Sequence, residues 1–104
     1  MIVLDTGGLY AALDANEDLH ERCVSALSAS RPPRLLSPFV LAELDYLIGR
    51  RIGREVRIRF LDEVIGGAYR LELFSPDDLR RARDLMRRYR DFPIGIADAS
   101  IVVL

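Results

Sequence analysis

Apolar positions along the chain change period several times, and each change marks an expected element. Ile2-Val3-Leu4 is a short apolar run followed by Asp5-Thr6-Gly7-Gly8, which predicts a buried strand ending in a turn. Leu9 to Leu13 is predicted helical. Asn16 is placed to cap a second helix, with Glu17 and Asp18 in its first turn, where negative charge is favoured. Leu19, Cys23, Ala26 and Leu27 continue at helical spacing until Ser30-Arg31-Pro32-Pro33 breaks it. Arg34 to Ser37 reads as a second strand. Ser37-Pro38 opens a helix, with serine as cap and proline at the first helical position, and Val40, Leu41, Leu44, Leu47 and Ile48 form its apolar stripe. Gly49 to Gly53 reads as a basic break.

Glu55 to Ile65 is expected as a further helix carrying Val56, Phe60, Leu61 and Val64 inward, ended by Gly66-Gly67. Tyr69 to Phe74 alternates and predicts a third strand. Ser75-Pro76-Asp77-Asp78 is a capped helix start, and that helix is expected to bury Leu79, Ala82, Met86 and Tyr89. A last helix begins near Ala97. Strands alternating with helices imply an α/β fold: a parallel sheet joined by crossover helices, in a single domain over residues 1–104. Ala99 to Leu104 stays apolar without a stop signal, so the pattern itself reads as C-terminally truncated, cut before a final strand.

Composition narrows the class. A chain of 104 residues, half of them hydrophobic, supports one core without disulfide staples. The one cysteine, Cys23, excludes an intrachain disulfide and suits a reducing compartment. The N-terminus does not read as a signal peptide, and no apolar run approaches the roughly 20 residues of a membrane helix, so a cytoplasmic protein is expected. With 15 basic residues, all arginine, and 16 acidic ones, the net charge of −1 excludes a protein that coats nucleic acid through general positive charge.

Three acids are placed for chemistry. Asp5 directly follows a strand, and in open parallel sheets ligands bind outside the carboxyl ends of the strands. It is also placed to cap the next helix. Glu43 and Asp45 flank the stripe centred near Leu44, and periodicity does not choose between them. Asp98 falls in the first turn of the last helix among Ile94, Ile96, Ala97, Ile101 and Val102, where a buried carboxylate would need a partner such as a cation. No cysteine–histidine cluster exists for structural zinc, and the lone His20 lies among acids on an expected solvated helix face. Carboxylates without histidine favour Mg²⁺ or Mn²⁺.

Three segments in order resemble the motifs of the PIN-domain ribonucleases, in particular the VapC-type toxins of prokaryotic toxin–antitoxin pairs. They are Ile2-Val3-Leu4-Asp5-Thr6-Gly7, Ser37-Pro38-Phe39-Val40-Leu41-Ala42-Glu43-Leu44 and Gly95-Ile96-Ala97-Asp98-Ala99-Ser100-Ile101. The resemblance selects Glu43 over Asp45. It implies a metal-dependent endoribonuclease with catalytic Asp5, Glu43 and Asp98, in which Asp5 and Asp98 hold Mg²⁺ or Mn²⁺. It also implies an RNA substrate, a cognate antitoxin partner and a homodimer. The family usually adds a final strand and a fourth acidic residue after the point where this sequence ends. The alternative is therefore a catalytically impaired module that binds an antitoxin. Asp5-Thr6-Gly7 is also the signature of aspartic proteases, but that fold is all-β and this pattern is rich in capped helices.

Two arginine groups stand out. Arg50, Arg51, Arg54, Arg57 and Arg59 have few acidic neighbours and form the stronger expected RNA surface. Arg80, Arg81, Arg83, Arg87, Arg88 and Arg90 have acids at helical spacing and read as a solvated, ion-paired face.

Overall fold

The computed structural model describes residues 1–104 as three short parallel strands among six helices. The elements are β1 (Ile2–Val3), α1 (Thr6–Leu13), α2 (His20–Ala29), β2 (Arg34–Leu36), α3 (Pro38–Arg51), α4 (Arg54–Ile65), β3 (Arg70–Leu71), α5 (Pro76–Arg88) and α6 (Ile96–Val103). The sheet order is β1-β2-β3, with Ile2 opposite Arg34 and Val3 opposite Leu35, then Leu35 opposite Arg70 and Leu36 opposite Leu71. Both pairs are parallel, as expected for strands joined through helices. The backbone ladder runs slightly past the strands: Leu4 N donates to Leu35 O at 3.0 Å and Glu72 N to Leu36 O at 2.9 Å.

Helix α3 is the centre of the molecule. Val40, Leu44 and Ile48 recur every fourth residue and are fully buried, one stripe facing the core. Around them lie Leu4, Leu9, Tyr10, Leu36, Phe60, Tyr69 and Ala97. Each large side chain so enclosed contributes about 1.5–3 kcal/mol. Helix α3 packs on α1, α4 and α6, while α5 lies along α6 and α1 along α2.

Four local expectations change. Asn16 caps nothing: residues 16–19 form turns and α2 starts at His20, after Leu19. The basic break is shorter, because α3 continues through Gly49 to Arg51 and only Ile52 and Gly53 interrupt the helices, Gly53 at φ +149°. Gly49 lies inside the helix, and the Arg57 side chain crosses over it so closely that a Cβ there would lie 2.8 Å from an Arg57 nitrogen. The third strand shrinks to Arg70–Leu71, since beyond Glu72 nothing pairs with it and Leu73 is open to solvent. On α5 only Ala82 is buried, while Leu79 and Tyr89 remain exposed, because α6 covers a narrow strip of that helix. The capping box is as expected: Ser75 Oγ accepts from Asp78 N at 3.1 Å, and Ser75 N donates to the Asp78 carboxylate at 2.9 Å.

Candidate active site at the carboxyl edge of the sheet

The carboxyl ends of β1 and β2 lead straight into α1 and α3, so Asp5 and Ser37 stand at the same edge of the sheet. Asp5 is the N-cap of α1. Its extended backbone turns the carboxylate toward the helix, and Oδ1 accepts from Gly8 N at 2.7 Å. Gly8 makes the approach possible: a Cβ there would lie 2.7 Å from the same oxygen. Capping and chemistry are compatible, because one oxygen serves the helix and the residue remains exposed.

Helix α6 reaches this edge through serine chemistry. Ser37 and Ser100, both fully buried and 63 positions apart, share a hydrogen bond of 2.7 Å. Ser37 Oγ also accepts from Phe39 N, capping α3, and Ser100 Oγ donates to Ala97 O at 2.6 Å. Since Ser100 gives its proton to Ala97, Ser37 is the donor between the two hydroxyls. Ala97 and Ala99 turn inward beside Ser100, and Asp98 turns outward. The sequence argument from burial therefore fails for Asp98: among its apolar neighbours Ala97 faces the core, Ile94, Ile96 and Ile101 are partly buried, and Val102 is exposed like Asp98 itself.

Helix α3 resolves the choice left open at its stripe. Asp45 takes a bidentate pair from Arg57 of α4, with Nε and an Nη donor each at 2.7 Å. That pair holds the Asp45 carboxyl below its usual range, the hydrogen bond being the larger cause and the Arg57 charge a smaller one. Glu43 is exposed, with no hydrogen bond or ion pair to its carboxylate. The acid claimed by structure is Asp45, and Glu43 is uncommitted.

The edge gathers the elements that carry the three acids, but their side chains do not close into one cluster. No group of three or more Asp, Glu, His or Cys stands at metal-binding spacing. Asp5 lines a small apolar cleft of about 170 Å³ between β1, α1 and α2, whereas Asp98 lines a separate cleft between α5 and α6. The donors are nonetheless oxygen-only, exposed and free of basic partners, which suits a hard, partly hydrated cation. Thr6 is buried at the start of α1, beside the acid.

His20 is not on a solvated face. Its Nδ1 donates to Ala11 O at 2.8 Å, joining the start of α2 to α1. The Ser37–Ser100 link escaped sequence reading altogether. Each serine is visible as a polar residue beside an acidic motif, but nothing in the chain pairs them.

The sequence profile of the PIN domain matches residues 2–104. The chain is 37% identical over 103 residues to Ribonuclease VapC26 of Mycobacterium tuberculosis, covering 99% of this chain and 76% of that protein. Its fold superimposes on the crystal structure of Mycobacterium tuberculosis VapC20, a sarcin-ricin loop cleaving toxin, with a TM-score of 0.90 at 21% identity, over 99% of this chain and 79% of that one. On the full-length profile match and the identity to a VapC protein, this chain belongs to the PIN-domain family, in its VapC-type branch.

Proposed function

We propose that this chain is a divalent-cation-dependent endoribonuclease, the toxin of a toxin–antitoxin pair, acting through Asp5, Glu43 and Asp98. The observation that carries the reading is the 37% identity to a ribonuclease, in a chain where β1 leads into the Asp5 cap of α1 and the Ser37–Ser100 bond joins the helix bearing Glu43 to the helix bearing Asp98. Asp5 and Asp98 are the residues to hold Mg²⁺ or Mn²⁺. Such an ion, when bound, polarises a phosphate oxygen and lowers the pKa of its water. Glu43, with no cation beside it, orients the attacking water or accepts its proton. The identity to a protein named as a ribonuclease favours this enzyme over a binding module that cleaves nothing.

The partners follow from the VapC resemblance: RNA, a small antitoxin and a second copy of the chain. No helix is long and apolar enough to cross a membrane, which is compatible with the cytoplasmic location proposed.

The test is cleavage of a fluorescent RNA with Mg²⁺ or Mn²⁺ present or chelated. Chelation, Asp5→Asn and Asp98→Asn should each reduce the rate at least ~100-fold, the lower end of a typical acid–base or electrostatic contribution. Asparagine caps a helix as well as aspartate does, so circular dichroism should be unchanged in Asp5→Asn. Full activity in both variants would remove the proposed site.

A further inference from the structure

The cleft beside Asp98 has a lining that cleavage chemistry alone does not explain. It measures about 270 Å³ and is bounded by Leu85, Tyr89, Ile94, Asp98, Ala99 and Val102. Five of these are apolar or aromatic, and the sixth is a proposed metal ligand. Leu85 and Tyr89 are four apart and share one face of the end of α5. Tyr89 is half-exposed and held edge-on by Phe92, with ring centroids 6.5 Å apart.

Charge around the cleft is arranged unevenly. Along the first part of α5 the arginines are claimed: Arg80 by Asp77, Arg81 by Asp78 and Arg83 by Asp84. At the end nearest the cleft, Arg87, Arg88 and Arg90 are exposed and engage no carboxylate, although Asp91 adjoins them in sequence. Arg88 is three residues from Leu85 and adjacent to Tyr89, on the flank of the same face. The group that sequence reading favoured for RNA lies elsewhere. Arg50 and Arg51 stand at the far end of α3, roughly 20 Å from its Ser37 cap at 1.5 Å per residue. Within that group Arg57 is bound by Asp45, and Arg51 lies over the Tyr10 ring and near Glu17.

We infer that this α5–α6 cleft receives one unstacked nucleobase of a single-stranded RNA, stacked on Tyr89, while Arg87, Arg88 and Arg90 contact the flanking phosphates. The inference rests on the ribonuclease reading and adds to it a base-binding subsite next to Asp98. Single-stranded RNA is held in this way, by aromatic faces that take a splayed base and by arginines that track the backbone. A base seated here would bring its own phosphate to the rim where Asp98 opens. Tyr89 is a positioning residue in this scheme: it holds the nucleotide and takes no part in bond breaking.

The experiment measures binding and cleavage separately, on the full chain. Binding is read by anisotropy of a fluorescein-labelled single-stranded oligoribonucleotide of random sequence, without divalent ions. Tyr89→Ala should weaken binding roughly five- to hundredfold, and Tyr89→Phe should stay within about twofold of the native chain. Val102→Glu, at an exposed site that tolerates the change, should weaken binding by placing a negative charge in the cleft. Cleavage should follow binding, with KM raised more than kcat is lowered. For an RNA of defined cleavage position, an abasic nucleotide there should weaken native binding and leave Tyr89→Ala no further effect.

Native-level binding by both Tyr89→Ala and Val102→Glu would overturn the inference. So would a change in oligomeric state with RNA affinity intact, which would make the cleft a face between protein chains. If the native chain binds RNA in this pattern but cleaves none, the ribonuclease reading falls and the base pocket stands. If it cleaves RNA and Tyr89 is indifferent, the reverse holds.

Discussion

Asp5 and Gly8 show how tightly a helix cap can be packed at the residue proposed for catalysis. The carboxylate oxygen sits 2.7 Å from the Gly8 amide and would sit 2.7 Å from any Cβ placed there. Gly8→Ala should therefore displace a flexible side-chain end and leave the backbone in place. Alanine gains about 1 kcal/mol of helix propensity, and a weakened cap costs about 0.5–2 kcal/mol, so the melting temperature should barely move. Ribonuclease activity should fall at least ~10-fold. A melting curve and a cleavage rate on the same sample check this, and unchanged activity would mean that the Asp5 oxygen need not stand where it does. Sequence made Asp5 legible because a strand and a turn bracket it. It left Glu43 and Asp45 equivalent, because their difference lies in Arg57, on the next helix. It misjudged the burial of Asp98, because a linear window of apolar neighbours does not say which way a helix turns each residue.

Between elements, two polar contacts set the site's frame. Ser37–Ser100 ties the start of α3 to α6, and with it the helix bearing Glu43 to the helix bearing Asp98. Ser100→Ala leaves the buried Ser37 hydroxyl without its long-range partner, at a cost of about 1–3 kcal/mol. The loss should appear as a lower denaturation midpoint, accompanied by a higher metal concentration for half-maximal cleavage. Ser100→Thr, if its hydroxyl reaches Ser37, should restore the metal dependence. Arg57–Asp45 ties α3 to α4, and its pH behaviour has a definite sign. The Asp45 carboxyl titrates lower when folded than when unfolded, so its contribution is fully present above the ordinary carboxylate value. That contribution is lost as pH falls through the lowered folded value. Urea midpoints of the native chain and Asp45→Asn should therefore differ at neutral pH and converge in acid. A constant difference down to the most acid pH would contradict the assignment. The pair is partly solvated, so the difference should be small and should shrink with added salt.

For the molecule as a whole, the alternation of strands and helices was readable because several helices carry their own punctuation: Ser37-Pro38, Ser75 with Asp78, and Gly66-Gly67. The extent of β3 was not, because alternation in Tyr69 to Phe74 only proposes a strand, and the partner strand β2 is three residues long. Charge was legible in amount but not in distribution. A net charge of −1 predicts no general attraction for RNA, and the six ion pairs remove further arginines from contention. If Arg87, Arg88 and Arg90 make the phosphate contacts, single-stranded RNA affinity should fall with salt at a logarithmic slope of about −2, near −0.7 per phosphate neutralised. Arg88→Ala should reduce the steepness by about 0.7, whereas Arg54→Ala, at the start of α4, should leave the slope unchanged. Anisotropy titrations across a salt series measure all three values. A much steeper native slope, flattened by Arg54→Ala, would move the RNA path to the α3–α4 junction and away from the Asp98 edge.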